Sequence, residues 1–352
     1  MNVQTEKIFR EIYRQFKKVN PGCDDKDKLD KVLNKIIGVG KYSSNPARVR
    51  AMEEMHGFCI CCLDYKMFIP SQSALNLKKE NLKFYADAFS EAEIIIPTYI
   101  PMNVLGPLSQ EIIKVTDKEE KLKQGDMALA AMFPPSMLAR LSIDHYSKFS
   151  DLSPCLVQIR ETVEAYCLGF YRLSITSLLP CIEYAIRALG EKLGVAGDNE
   201  VAVSYLLGIY DSWMRYYIDG VVLKDYDWAP DCVRSKNLYL NFDERYQMVA
   251  NSRDYIANHL YQNSIRDKGI SQLNRHSILH GFMPEYHTKG NYLRLINVLN
   301  NLCFMLTLSG VPASLFLPEA TDKTMRFIQN LLVMEVMGTK RAMYLDENSI
   351  ER

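Results

Sequence analysis

The chain has 352 residues, enough for two domains or one large helical one on the usual scale of about 100 to 200 residues per domain, and its apolar share of 48% is ample for a core. Its 42 basic residues balance 42 acidic ones, so it lacks the bulk positive field of a dedicated duplex-DNA binder, and any nucleic-acid site must be local.

The opening residues, MNVQTEKIFREIYRQFKK, alternate charged and apolar positions without a continuous apolar block, which predicts an amphipathic helix and not a signal peptide. Ile8, Phe9, Ile12, Tyr13 and Phe16 form its stripe; Leu29, Val32, Leu33, Ile36 and Ile37 form that of a second helix. Over 43–68, SSNPARVRAMEEMHGFCICCLDYKMF predicts a third, with Asn45 as cap and Pro46 in the first turn, where a missing N–H costs nothing. At 93–108 a β-branched run broken by prolines predicts a connector or at most a short strand.

From about 150 the periodicity is cleaner. Ile175, Leu178, Leu179, Ile182, Ile186, Leu189 and Leu193 line one helix, with Gly194 or Gly197 to end it. Tyr292, Leu295, Ile296, Leu299, Leu302, Cys303 and Leu306 line another, with Thr288 as its cap. Further helices are expected at about 155–172, 200–217, 241–262 and 268–281, with a polar loop DGVVLKDYDWAPDCVRSKN between them. The expected fold is therefore all-α: a helical N-terminal region over 1–150, a bundle over 151–335 and a tail over 336–352. No run reaches the roughly 20 apolar residues of a membrane span. The nine cysteines lie mostly in apolar patterns, which suits free thiols in a reducing, cytoplasmic setting.

Histidine is scarce, six in all, and four fall between 259 and 287. In LNRHSILHG, residues 273–281, His276 and His280 stand one helical turn apart, with Arg275 just before them. An imidazole that titrates near neutrality can move a proton, and a guanidinium can hold charge that grows on phosphate oxygens. NRHSILHG resembles the R-x(4–6)-H signature of the HEPN superfamily, with Arg275 as its arginine, the polar His276 next and His280 as its histidine. AYCLGFYRLSITSLLPCIEYAIRALGEKLG resembles that superfamily's early helices, and the pairing of LHG with a closing helix, YHTKGNYLRLINVLNNL, fits as well. The resemblance covers the C-terminal half.

The resemblance implies a metal-independent endoribonuclease without cofactor, often a homodimer with two motifs facing each other. The RNA 2′-hydroxyl attacks the adjacent phosphate, His280 acts as acid or base, Arg275 binds the phosphate, His276 orients them and Asn274 contacts substrate. Glu183 and Arg187, four apart, form a helix-surface ion pair or brace the site from behind. RNA is the implied partner, a regulatory protein or antitoxin a further one, and toxin–antitoxin or antiphage defence the implied setting; no membrane is involved. A second reading is a non-catalytic helical adaptor, in which a histidine in the last turn complements the helix dipole, Gly281 ends the helix and Arg275 pairs with a carboxylate.

The chain carries its own controls. Arg140 and His145 share the spacing but place apolar Leu141 after the arginine, whereas Arg253 and His259, followed by Asp254, remain a competing motif. His56, Cys59, Cys61 and Cys62 have metal-ligand chemistry but no second pair at zinc-finger spacing, so no metal site is expected. Trp213, Tyr216 and Tyr217 beside Arg215 can stack bases or fill a core, and the basic stretch 76–83 reads as a solvated face. Glycine-rich phosphate loops and nucleophile elbows are lacking.

Overall fold

A computed structural model of the chain describes residues 1–50, 54–76, 80–195, 203–262, 273–283 and 285–350. Residues 77–79 of the basic stretch 76–83 and the first parts of the helices expected at 200–217 and 268–281 lie outside the described residues. The structure is mostly helical, with one three-stranded antiparallel sheet that corrects the all-α expectation. Two compact units are present, 1–82 with 214–247 and 83–213 with 248–352, so residue 150 falls inside the second of them.

In the first unit, helices Val3–Val19 and Lys26–Ile36 form where the stripes predict them, capped by Asn2 and Asp25. Phe9, Ile12, Phe16, Leu29 and Leu33 are buried with Phe58, Ile60, Met67 and Trp228. The described residues among 43–68 are not helical. They belong to strands β1 (Tyr42–Arg50), β2 (Glu54–Cys62) and β3 (Tyr65–Pro70), with register from Tyr42 opposite Cys62 to Arg50 opposite Glu54. Along β2, Phe58, Ile60 and Cys62 point into the core while Cys59 and Cys61 stay half-exposed, a period-two pattern that the acidic AMEEMH stretch before it disguises.

Pro46 sits on edge strand β1, where a missing N–H costs no ladder bond, and so is no helix start. The turn from β2 to β3 uses Leu63 and Asp64, both at positive φ (53° and 64°), the geometry that matches strand twist but is usually built from Asn-Gly. The other edge, β3, is covered by the returning chain, where Phe68 N donates to Trp228 O at 2.9 Å and Asp227 N to Lys66 O at 2.8 Å. Trp228, expected in a polar loop, is thereby buried edge-on against Phe9.

The second unit is built around helix Lys289–Leu308, in which residues 290–306 are all buried. Thr288 caps it, its hydroxyl accepting from Asn291 N at 3.1 Å. Helices Tyr171–Lys192 and Lys118–Met132 pack on it, and Leu156–Cys167 packs on Tyr171–Lys192 after a reversal at Gly169 (φ 78°). The central helix also carries buried polar groups. Arg294 donates to the carbonyls of Ala92 and Glu93, each at 3.0 Å, and to Asp126, while Asn297 donates to Ile95 O at 2.8 Å.

Those bonds explain how the apolar segment Ile94–Ile96 is buried without being helix or strand, since each stranded carbonyl would otherwise cost about 1–3 kcal/mol. The irregular stretch is shorter than the expected 93–108 connector, because helix Met102–Lys114 begins inside it and keeps Pro107 within its length. Helix Asp322–Glu347 runs through the boundary expected at 335 and packs on Leu156–Cys167 and Pro135–Ala139. Among the described residues no helix is long and apolar enough to cross a membrane.

Candidate functional site

Asn274 starts the segment. It is fully buried; its Oδ1 accepts from Ser277 N at 2.9 Å and its Nδ2 donates to Gln262 O at 2.8 Å, so both ends of its amide hold backbone. The described helix is therefore short, Arg275–Leu279, with Leu273 and Asn274 before it non-helical. It ends on Gly281 at φ 74°, where Phe282 N donates to Ser277 O (2.8 Å) and Gly281 N to Ile278 O (3.2 Å), a closure that only a residue tolerant of positive φ makes without strain. Ser277 and Ile278 face inward, while His276 and His280 face solvent with ring centroids 4.3 Å apart. Phe282, 70% exposed, lies nearly parallel to the His280 ring, 6.2 Å away.

Arg275 turns the other way, onto helix Tyr171–Lys192. Its Nε donates to Glu183 Oε1 at 2.8 Å, and among the described residues the two terminal nitrogens of the guanidinium make no hydrogen bond. The second oxygen of Glu183 accepts from Arg187 at 3.1 Å, and Tyr261 Oη donates to Oε1 at 3.2 Å. Burial, and then the Glu183 carboxylate, push the Tyr261 hydroxyl well above its ordinary range, which keeps it a donor. Glu183 thus gathers Arg187, Tyr261 and Arg275 onto one mostly buried carboxylate. The i, i+4 spacing exposed the first of these partners; no local pattern exposes Tyr261, which is 78 residues away in sequence.

The two other arginine–histidine spacings fold differently. Arg253 is gripped by both oxygens of Asp211 at 3.0 Å, which raises its pKa, and His259, in a wide π-helical turn, lies 3.7 Å from Glu93 and against the Tyr255 ring. Arg140 donates to Pro318 O, and His145 is a core residue packed edge-on to Tyr99 and Phe149, its pKa pushed down by burial to about 4.

The remaining sequence candidates separate in the same manner. Trp213 is fully buried, with Nε1 donating to Met305 O and Ser309 Oγ, and Tyr217 is buried with its hydroxyl on Asp243. Cys59 and Cys61 share one face of β2 with sulfurs 4.0 Å apart, whereas Cys62 lies in the core on the other face. Among the described residues no three His, Cys, Asp or Glu side chains converge as metal ligands do. Comparisons with protein-family models, with curated proteins and with solved structures return no match to this chain.

Proposed function

We propose that residues 275–280 form the reaction centre of a HEPN-like endoribonuclease that cleaves RNA without a metal, by attack of the 2′-hydroxyl on the adjacent phosphate. One observation carries this reading: two solvent-facing imidazoles 4.3 Å apart, next in sequence to an arginine whose Nε is held by Glu183. His280 moves the proton, as base toward the 2′-hydroxyl or as acid toward the departing 5′-oxygen, and His276, in ring contact with it, sets its orientation. Arg275 presents its terminal N–H groups to the phosphate, which gains negative charge in the transition state. Glu183 anchors that arginine, and Arg187 and Tyr261 anchor Glu183. Asn274 serves as the cap that aims Arg275, in place of the expected substrate contact, because its amide is buried and engaged.

Two chains with their motifs facing would concentrate Arg275, His276 and His280 in one cleft, which gives a chain of zero net charge a local grip on RNA. A cytoplasmic toxin or antiphage effector, held in check by a regulatory protein or antitoxin, is the setting in which such an activity is useful.

The test compares wild type with His280→Ala and Arg275→Ala for RNA cleavage in chelator, with 2′,3′-cyclic phosphate ends as the product sought. Both variants should lose cleavage while remaining folded, and His259→Ala should keep it. A second reading, a non-catalytic adaptor, is favoured by the ion pair of Arg275 with Glu183, which also serves simply to dock the short helix. Absence of cleavage from folded wild type decides for the adaptor, and equal cleavage by His280→Ala removes the reaction centre from residues 275–280.

A further inference from the structure

Helix Asp322–Glu347 comes so close to the turn after Leu156–Cys167 that a Cβ on Gly338 would meet Cys167 O at 2.5 Å and the Leu168 carbonyl carbon at 2.8 Å. Only glycine permits this backbone approach. One turn further on, Arg341 lays its guanidinium over the Phe170 ring, 4.5 Å from the centroid. A pocket of about 460 Å³ opens there, lined mainly by Phe170, Tyr171, Arg172, Leu173, His287 and Arg341. A smaller lobe of about 200 Å³ continues past Tyr171 and Gly338 and adds Lys289 and Glu335.

Charge and polarity in the larger lobe are lopsided. It is lined by two arginines and no carboxylate, and among the described residues neither Arg172 nor Arg341 is in an ion pair. Phe170 and Leu173 are 37% and 60% exposed, so apolar side chains stand open beside the cations. A guanidinium presents a planar fork of N–H donors that matches the paired oxygens of a carboxylate or phosphate. The volume lies within the roughly 300–1,000 Å³ of small-molecule sites.

We propose that this pocket binds a small organic oxyanion, a carboxylate or phosphate monoester attached to an apolar ring-sized body. Arg172 and Arg341 take the oxygens, and Phe170, Tyr171 and Leu173 cover the body. The stack of Arg341 on Phe170 holds one cation in place before the ligand arrives, which lowers the ordering cost of binding. The pocket shares no residue with the Arg275 cluster, so the proposal stands apart from the nuclease reading.

The test titrates the full chain with phenyl phosphate, benzoate, inorganic phosphate and phenol, followed by calorimetry or by chemical-shift change. Phenyl phosphate or benzoate should saturate a single site at least about ten-fold more tightly than inorganic phosphate or phenol, because only the first two use both parts of the pocket. The tighter of the two identifies the natural headgroup as phosphate or carboxylate. Arg341→Gln and Arg172→Gln should each weaken binding about ten-fold, and Arg341→Lys should not restore it, since an ammonium lacks the fork. Leu173→Asp, an exposed position that leaves packing intact, should abolish it. Failure of all four probes to saturate, inorganic phosphate binding as tightly as phenyl phosphate, or unchanged affinity in the doubly substituted Arg172→Gln, Arg341→Gln protein would overturn the proposal.

Discussion

Arg253 with His259 and Arg275 with His280 are near copies in sequence, yet their surroundings differ in kind. Arg253 is closed into a two-point grip by Asp211, and His259 is set between Glu93 and the Tyr255 ring. Arg275 gives one nitrogen to Glu183, and its histidines face solvent together with Phe282. The acidic partners, not the spacing, decide what such a motif can do: a guanidinium held at two of its nitrogens by one carboxylate is a strut, and one held at a single nitrogen has more donors to offer.

The largest expected difference between the two motifs is catalytic. On the proposed reading His280→Ala lowers cleavage by a factor on the order of 10² to 10⁴, the usual worth of a general acid or base, while His259→Ala stays within a few-fold of wild type. Reversal of those two results in a product-end assay would move the reaction centre to the other motif. Next in size is Glu183→Ala, which removes the carboxylate shared by Arg275, Arg187 and the Tyr261 hydroxyl. A loss of about 2–3 kcal/mol is expected, reduced from the value for fully buried pairs because Arg275 and Arg187 still reach water, and denaturant unfolding measures it. Arg253→Ala should cost less than this, since the Asp211 it releases is about one-third exposed.

A pH prediction comes from the third spacing. Burial holds the His145 pKa at about 4 against 6.5 when unfolded, so between those values the unfolded chain binds more protons and stability rises with pH. Going from pH 7 to pH 5 should cost about 2 kcal/mol at this one residue, and His145→Phe, which suits its aromatic neighbours, should flatten that part of the pH–stability curve. An unchanged slope would show that His145 takes up its proton alike in the folded and unfolded chain. The smallest effect is expected from Asn274→Ala, about 1 kcal/mol for a lost cap, with faster hydrogen exchange at Ser277 as its local sign.

How much of this was legible in the sequence depends on where the partners lie. Helices 3–19, 26–36, 171–192 and 289–308 were readable because their stripes and caps are local, down to Thr288. The hairpin over 42–62 was not, because AMEEMH mimics helix composition and the alternation that marks β2 covers only its second half. The break at Asp243 was hidden in the helix expected at 241–262; its carboxylate accepts from Tyr246 N and starts a new helix. At the site, Arg275, His276 and His280 were visible as spacing. Tyr261 on Glu183 and the carbonyl ties of Arg294 were not, for they join positions tens to hundreds of residues apart.

Helix Lys289–Leu308 is surrounded by protein, and a purely apolar helix in that position would be free to turn about its axis or slide by a residue at small cost. Asn291, Arg294, Asn297 and Asn300 remove that freedom, because each reaches a different neighbour: the Tyr286 carbonyl, the Ala92 and Glu93 carbonyls, the Ile95 carbonyl and the Tyr146 hydroxyl. A slip by one position would break these bonds together and leave an arginine without a partner in the core. The helix therefore works as a key cut for one lock, selecting a single assembly of its unit from the many that greasy packing alone would accept.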